Sequence, residues 1–281
     1  MKPSVIRRPR HERPSLAATL LLAAGGIVFF YPFAWMFCSA FKANREIFRP
    51  LHLFPEAFDG QYFAQLFSAK WFPFWHIFAN SLAVALLQAA GAVALSSLAG
   101  YAFARHQFSG KRWLFLLSIV VIVLPQNALA VPLFTWVHGL GLSDRLLGVI
   151  LPGMVSGLGI LYFTQVFRQV PDELVDAARL AGASEWWVYL TLLPLVRSAL
   201  ISFGLIHFIL AWHEHLIPLL VLSTAEKQTL PIALASLYGS SLRFPFAVLM
   251  AASTLAVLPT ALLFVLLHRR FKTALSEMLS H

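Results

Sequence analysis

The chain has 281 residues, 59% of them hydrophobic and 12% charged, with a formal net charge of +9 at pH 7. Soluble domains carry about 25% charged residues, so the composition excludes an ordinary water-soluble domain and points to the bilayer. The positive charge is spread over short connections instead of one face, which argues against nucleic acid and for anionic lipid and a positive-inside bias. The single cysteine, Cys38, excludes an intrachain disulfide and a cysteine-cluster metal site. Lying in an apolar run, it reads as a small buried hydrophobe.

A spanning helix needs about 20 apolar residues. Stretches free of Lys, Arg, Asp and Glu run over 16–41, 71–104, 113–137, 146–167 and 244–267, and a sixth, 198–225, is interrupted only by Glu214. The expected fold class is therefore all-α: a polytopic membrane protein of six transmembrane helices. The spans fall at about 16–41, 78–104, 113–137, 146–167, 198–222 and 244–267, within a permeating domain 16–268 between tails 1–15 and 269–281. In the second run, Trp71 to Trp75 read as an interfacial lead-in to a span that begins near Asn80. The first run is too long for the core of a signal peptide, whose apolar segment is about 7–15 residues. With both termini inside, Lys and Arg number fourteen on the inner side and seven on the outer, so both termini and the loop 168–197 are expected in the cytoplasm.

Polar residues inside such spans are functional candidates. In the third span Gln126 and Asn127 follow Pro125 at an expected helix break. They could hydrogen-bond a hydroxylated solute or satisfy one another between helices. In the fifth, Trp212, His213 and Glu214 precede His215 and Pro218, and Glu214 is the only acid within a predicted span. A metal site is disfavoured, because adjacent His-Glu-His residues point about 100° apart on a helix and the zinc-protease pattern needs His-Glu-x-x-His. A proton relay lacks a second carboxylate. A polar break near Pro218 lining a water-filled cavity is the third reading.

Between the fourth and fifth spans lies a polar segment, Asp172-Glu173-Leu174-Val175-Asp176-Ala177-Ala178-Arg179-Leu180-Ala181-Gly182-Ala183-Ser184. Pro171 and the acids Asp172 and Glu173 favour a helix start. Leu174, Ala177, Ala178 and Ala181 share a face at i, i+3, i+4, i+7. Gly182 can take the left-handed geometry that ends a helix, and Ser184 can cap a second one running toward Pro194. The local pattern fits either a solvated loop or a docking helix whose small face admits a partner.

The segment resembles the EAA loop of ABC importer permeases, with Asp176-Ala177-Ala178 at its start, Gly182 as its glycine and Leu193-Pro194 at its end. Two positions depart from that pattern: Asp176 stands for the usual Glu, and Ala181 for the Asp that often precedes the glycine. Asn80-Ser81-Leu82, Tyr101-Ala102-Phe103-Ala104-Arg105, Phe108-Ser109-Gly110-Lys111, Leu124-Pro125, Val131-Pro132-Leu133, Trp212-His213-Glu214 and Thr229-Leu230-Pro231 extend the likeness along the chain. Their order resembles the six-helix partner of maltose-type and glycerol-phosphate-type carbohydrate permeases.

The resemblance implies a non-enzymatic subunit of a bacterial-type inner membrane. Its implied partners are a second homologous permease, two ATP-binding subunits that hold ATP and Mg, and an extracytoplasmic solute-binding protein. It also implies that Glu173, Asp176, Ala177, Ala178, Ala181, Gly182, Ser184 and Pro194 belong to the coupling contact. The likeness of Trp212-His213-Glu214 to the family's usual Trp-Asn-Glu, with His213 standing for Asn, supports the cavity reading there; Gln126 and Asn127 are pathway candidates by their place at the break. No Gly-x-x-x-x-Gly-Lys-Ser/Thr loop occurs in the chain, so no phosphate-binding loop of that type and no cofactor is expected in it. An ion-coupled secondary transporter or channel subunit is the alternative; it would want more intramembrane carboxylates than Glu214 and usually repeated halves, and neither is visible in the sequence.

Overall fold

The computed structural model describes residues 15–49, 52–239 and 246–279. Most of the predicted N-terminal tail, the first residues of the 244–267 span and the last two residues lie outside them. In chain order the helices are α1 (Leu16–Ser39), α2 (Asn44–Ile47), α3 (Gln61–Phe67), α4 (Phe74–Arg105), α5 (Lys111–Val123), α6 (Gln126–Gly139) and α7 (Leu146–Gly153). They continue with α8 (Gly157–Arg168), α9 (Asp172–Leu180), α10 (Glu185–Leu192), α11 (Arg197–His213), α12 (Leu216–Val221), α13 (Leu230–Gly239) and α14 (Phe246–Leu279). The described residues contain no strand, so the chain is all-α.

Four segments are long and apolar enough to cross a bilayer unaided: Leu16–Ser39, Phe74–Arg105, Leu146–Arg168 and Phe246–Val265. Two further pairs qualify together but are bent, α5 with α6 by 114° and α10 with α11 by 80°, which gives up to six crossings.

Proline explains where the apolar runs divide. Pro125 holds Leu124 in extended backbone with ψ 128°, so α5 stops at Val123 and the predicted third span is two helices instead of one. The fifth run divides as well, at Glu214–His215, three residues before Pro218, near which the sequence suggested a break. A proline ring clashes with the carbonyl four residues back. A helix carried through Pro218 would bring it against the carbonyl of Glu214. Ending α11 at His213 instead leaves Pro218 in the first turn of α12, where its missing N–H is not needed. The fourth run breaks after Gly153 and restarts at Ser156, whose Oγ accepts from the Gly159 amide at 3.1 Å. The second span starts as helix at Phe74, earlier than expected, because Phe74 is buried among Leu66, Ile77 and Phe78 and is not an interfacial side chain.

α4 is the central strut, with α8 along one side and α11 along another. Small residues bring these backbones together, the usual device where lipid offers no hydrophobic drive. A Cβ on Gly100 would sit 2.5 Å from Cβ of Phe163 on α8, and one on Gly159 would sit 2.4 Å from Oγ of Ser96 on α4. The core has three parts. One joins α3, α4, α11, α13 and α14 around Phe74, Phe208 and Trp212. The second joins α4, α8, α9, α10 and α11 around Tyr101, Phe163, Phe167 and Tyr189. The third joins α4, α6, α7 and α12 around Val84, Val137 and Val149.

Asn80 and Ser81 at the start of α4 hold the segment before α13. Asn80 Nδ2 donates to the carbonyls of Glu226 (2.8 Å) and Gln228 (3.3 Å), and Ser81 Oγ accepts from the Leu230 amide at 2.6 Å. Asp144, at φ +54°, closes the same segment from the α6–α7 connection. Its carboxylate accepts from the Ser223 and Thr224 amides, Thr224 Oγ1 and Lys227 Nζ at 2.6–3.0 Å. Lys227 and these donors hold the Asp144 carboxyl well below the ordinary carboxylate range.

Candidate functional site: an exposed helix and a polar cleft

α9 is one end of the bundle's second core region, and its two faces differ. Val175 is 2% exposed and packs with Phe167 and Tyr189, and Ala178 packs partly against the same cluster. On the opposite side Glu173, Leu174, Ala177, Leu180 and Ala181 are open, Leu174 at 45% and Leu180 at 89% exposure. The sequence placed Ala178 on the docking face; the structure turns it toward the chain's own core. Leu180 takes its place outside, and the sequence reading missed it. Its signal was present in the Ala177, Leu180, Ala181 spacing, which continues the face begun by Leu174.

The end of α9 is a Schellman turn. Ala183 N donates to the Ala178 carbonyl at 3.1 Å and Gly182 N to the Arg179 carbonyl at 2.9 Å, with Gly182 at φ +82°. Ser184 does occupy the N-cap position of α10, but its side chain makes no cap hydrogen bond. The expected hydroxyl cap is therefore not formed. Pro194 lies in the turn between α10 and α11, at the 80° corner, and α10 stops at Leu192 ahead of it. Its part is to shape that corner, not to line the face of α9.

α9 is also fastened from behind. The buried Arg105 guanidinium donates to the Phe167 carbonyl at 2.7 Å, to the Val170 carbonyl and to the Asp172 carboxylate, tying the end of α4 to the entry of α9. Glu185 is a second hub. Its carboxylate accepts from Arg179 Nε (2.9 Å) and from the Tyr101 hydroxyl (2.8 Å), and lies 3.2 Å from His106 Nε2. Arg179 first, then Tyr101, hold the Glu185 carboxyl below its ordinary value, and Glu185 raises Arg179 in return. Asp176 is mostly exposed and pairs loosely with Arg179 at 3.8 Å. Arg105 and Glu185 were not singled out as site residues from sequence, because apart from Arg179 their partners lie 62 to 84 positions away.

The polar residues of the spans are partly brought together. Asn127, His213, Glu214 and His215 line a cleft of about 310 Å³ with Ile209, Leu210 and Leu216. The Glu214 carboxylate accepts from the Leu216 amide at 2.7 Å and the Ile217 amide at 3.4 Å, so it caps α12. His213 Nδ1 donates to the Ile209 carbonyl at 2.8 Å, leaving Nε2 as the free ring nitrogen. Trp212 does not join them. It is buried, stacks on Phe208, meets Phe78 edge-on and donates from Nε1 to the Ala256 carbonyl at 3.1 Å. Its size and its indole partner make it packing between α11 and α14. The side chain of Gln126 lies outside the described residues. No group of three or more His, Cys, Asp and Glu suited to a metal occurs among the described residues.

The chain belongs to the family of binding-protein-dependent transport system inner membrane components, whose model matches residues 92–276. It is 29% identical over 276 residues to the arabinooligosaccharides transport system permease protein AraQ of Halalkalibacterium halodurans, covering 95% of this chain and 97% of the relative. It is 30% identical over 264 residues to the lactose transport system permease protein LacG of Rhizobium radiobacter, covering 93% and 95%. A bacterial ABC transporter involved in the import of the acidic polysaccharide alginate shares the fold, with TM-score 0.81 at 18% identity over 91% of this chain and 95% of that one.

Proposed function

We propose that the chain forms half of the translocation pathway of an ATP-driven, binding-protein-dependent importer for a sugar or sugar-like solute, and that α9 is the element a cytoplasmic ATPase grips. In this reading six segments cross the inner membrane, with both termini and α9 inside. A second homologous permease completes the pathway, two ATP-binding subunits hold ATP and Mg, and an extracytoplasmic binding protein delivers the solute. The family's dependence on a binding protein and the sugar-transport relatives support it over an ion-coupled carrier.

The observation that carries the reading is the division of α9 into a fastened face and an open one. An apolar strip left bare at the end of a bundle marks an interaction surface. Leu174, Ala177, Leu180 and Ala181 form that strip, with Glu173 and Asp176 beside it. The small centre lets a groove close around the rod. The cleft of Asn127, His213 and His215 supplies hydrogen-bonding groups suited to hydroxyls, and Glu214 shapes it by capping α12.

Affinity purification of the tagged chain is expected to bring down one ATPase and one further permease. Leu180→Asp or Ala177→Asp should abolish ATPase capture while membrane insertion stays normal. Recovery of the ATPase at wild-type levels with both substitutions would refute the docking assignment.

A further inference from the structure

A second cleft, of about 550 Å³, opens where α4 ends, α5 begins and α8 ends, at the same end of the bundle as α9. Its lining carries Lys111, Arg112 and Arg168 and no acid. Lys111 Nζ donates to the His106 carbonyl at 2.7 Å, whereas the guanidinium groups of Arg112 and Arg168 make no hydrogen bond or ion pair among the described residues. The floor is aromatic: Phe103 packs at 5.6 Å from Phe108 and 5.5 Å from Phe115. Trp113, 76% exposed, stands at the rim. From there an apolar stripe of Leu114, Leu117, Val120 and Val121 runs exposed along one side of α5.

The juxtaposition has the shape of an amphiphile's partner. Two unpaired guanidinium groups and an ammonium face an open cleft with room for a phosphodiester, an exposed indole stands at its rim, and the stripe beyond has hydrocarbon character. Basic pockets between spanning helices hold anionic headgroups, because each cation gains from the phosphate without needing an acid to neutralise it. Arginine adds paired donors matched to phosphate oxygens. We infer that this cleft binds the headgroup of an anionic phospholipid, with an acyl chain laid along the α5 stripe. The contact would brace the α4–α5 connection beside the Arg105 anchor of α9 and so make the coupling end of the protein sensitive to lipid charge. The lipid site rests only on the chain's being a membrane protein; its effect on coupling rests on the proposed function.

The full chain, purified with whatever subunits accompany it, is titrated by native mass spectrometry with phosphatidylglycerol or phosphatidylcholine of the same acyl chains. The wild type should retain phosphatidylglycerol more tightly, and Arg112→Gln with Arg168→Gln should weaken that retention about thirtyfold, roughly fivefold for each cation. Arg112→Lys with Arg168→Lys should keep most of the preference, and Arg145→Gln, at the opposite end, should keep all of it. Equal retention of the two lipids by the wild type, or a preference untouched by the glutamine pair, overturns the assignment. Displacement of the lipid by millimolar inorganic phosphate also overturns it, in favour of a free anion. Should the glutamine pair fail to fold, the wild-type comparison and the lysine pair decide.

Discussion

Gly182 shows how a single residue sets the site. A Cβ there would meet nothing within 4 Å, so the cost of Gly182→Ala is conformational alone, about 1 kcal/mol for a left-handed backbone at φ +82°. Uptake is expected to fall severalfold with insertion unchanged, and solute accumulation compared against membrane protein level checks it. Asp144 makes a different prediction. Its carboxyl is held below the ordinary value by Lys227 and Thr224, so the charged form stabilises the fold above the unfolded carboxylate range, and that stability disappears only as pH falls through the lower folded value. Asp144→Asn should lower the melting temperature at pH 7, and the gap to wild type should close only under strong acid. The helix-ending role of Gly182 was legible in the sequence because it needs only local geometry. The role of Glu214 was not: the sequence shows an acid in an apolar run, and only the break at His215 turns it into a cap for the Leu216 amide.

At the scale of elements, the positions of the apolar runs were legible and their continuity was not. Charge-free length identifies a segment that prefers lipid, but Pro125 and Pro218 decide whether it is one helix or two. α9 was legible as a helix with a distinctive face, yet its rotation was misjudged by one position at Ala178, since the burial of Val175 against Phe167 depends on contacts from α8. The α4–α8 seam gives the third prediction. Gly100→Leu drives a side chain into Phe163 and should cost about 3 kcal/mol or more by overpacking, seen as poor yield and a lowered melting temperature. Gly139→Ala, where a Cβ meets nothing within 4 Å, should leave both unchanged.

For the whole molecule, the orientation is testable with the protein's own cysteine removed. Cys38 is buried, so Cys38→Ala provides a background for single thiols at exposed sites. Leu180→Cys, on α9, and Glu226→Cys, in the segment that Asn80 and Asp144 hold, should react with a membrane-impermeant maleimide from opposite sides. Labelling of intact cells is expected at position 226 only, with position 180 reacting once the membrane is broken; the reverse pattern would place α9 outside. The likeness to sugar permeases reaches nearly the full length of the chain, and two of the fragments that carried it hold opposite ends of α4. Asn80 and Ser81 secure one end, while Tyr101 and Arg105 secure the other.

The Tyr101–Glu185–Arg179 linkage has a mechanical consequence. α9, α10 and the tail of α4 share one set of charged hydrogen bonds, so under the proposed function a push on the exposed rod would reach the central strut through them. α4 runs 32 residues from that junction to Phe74, and near its far end Asn80 and Ser81 hold the segment before α13. Under the proposed function, one helix would then connect the gripped surface to the far one.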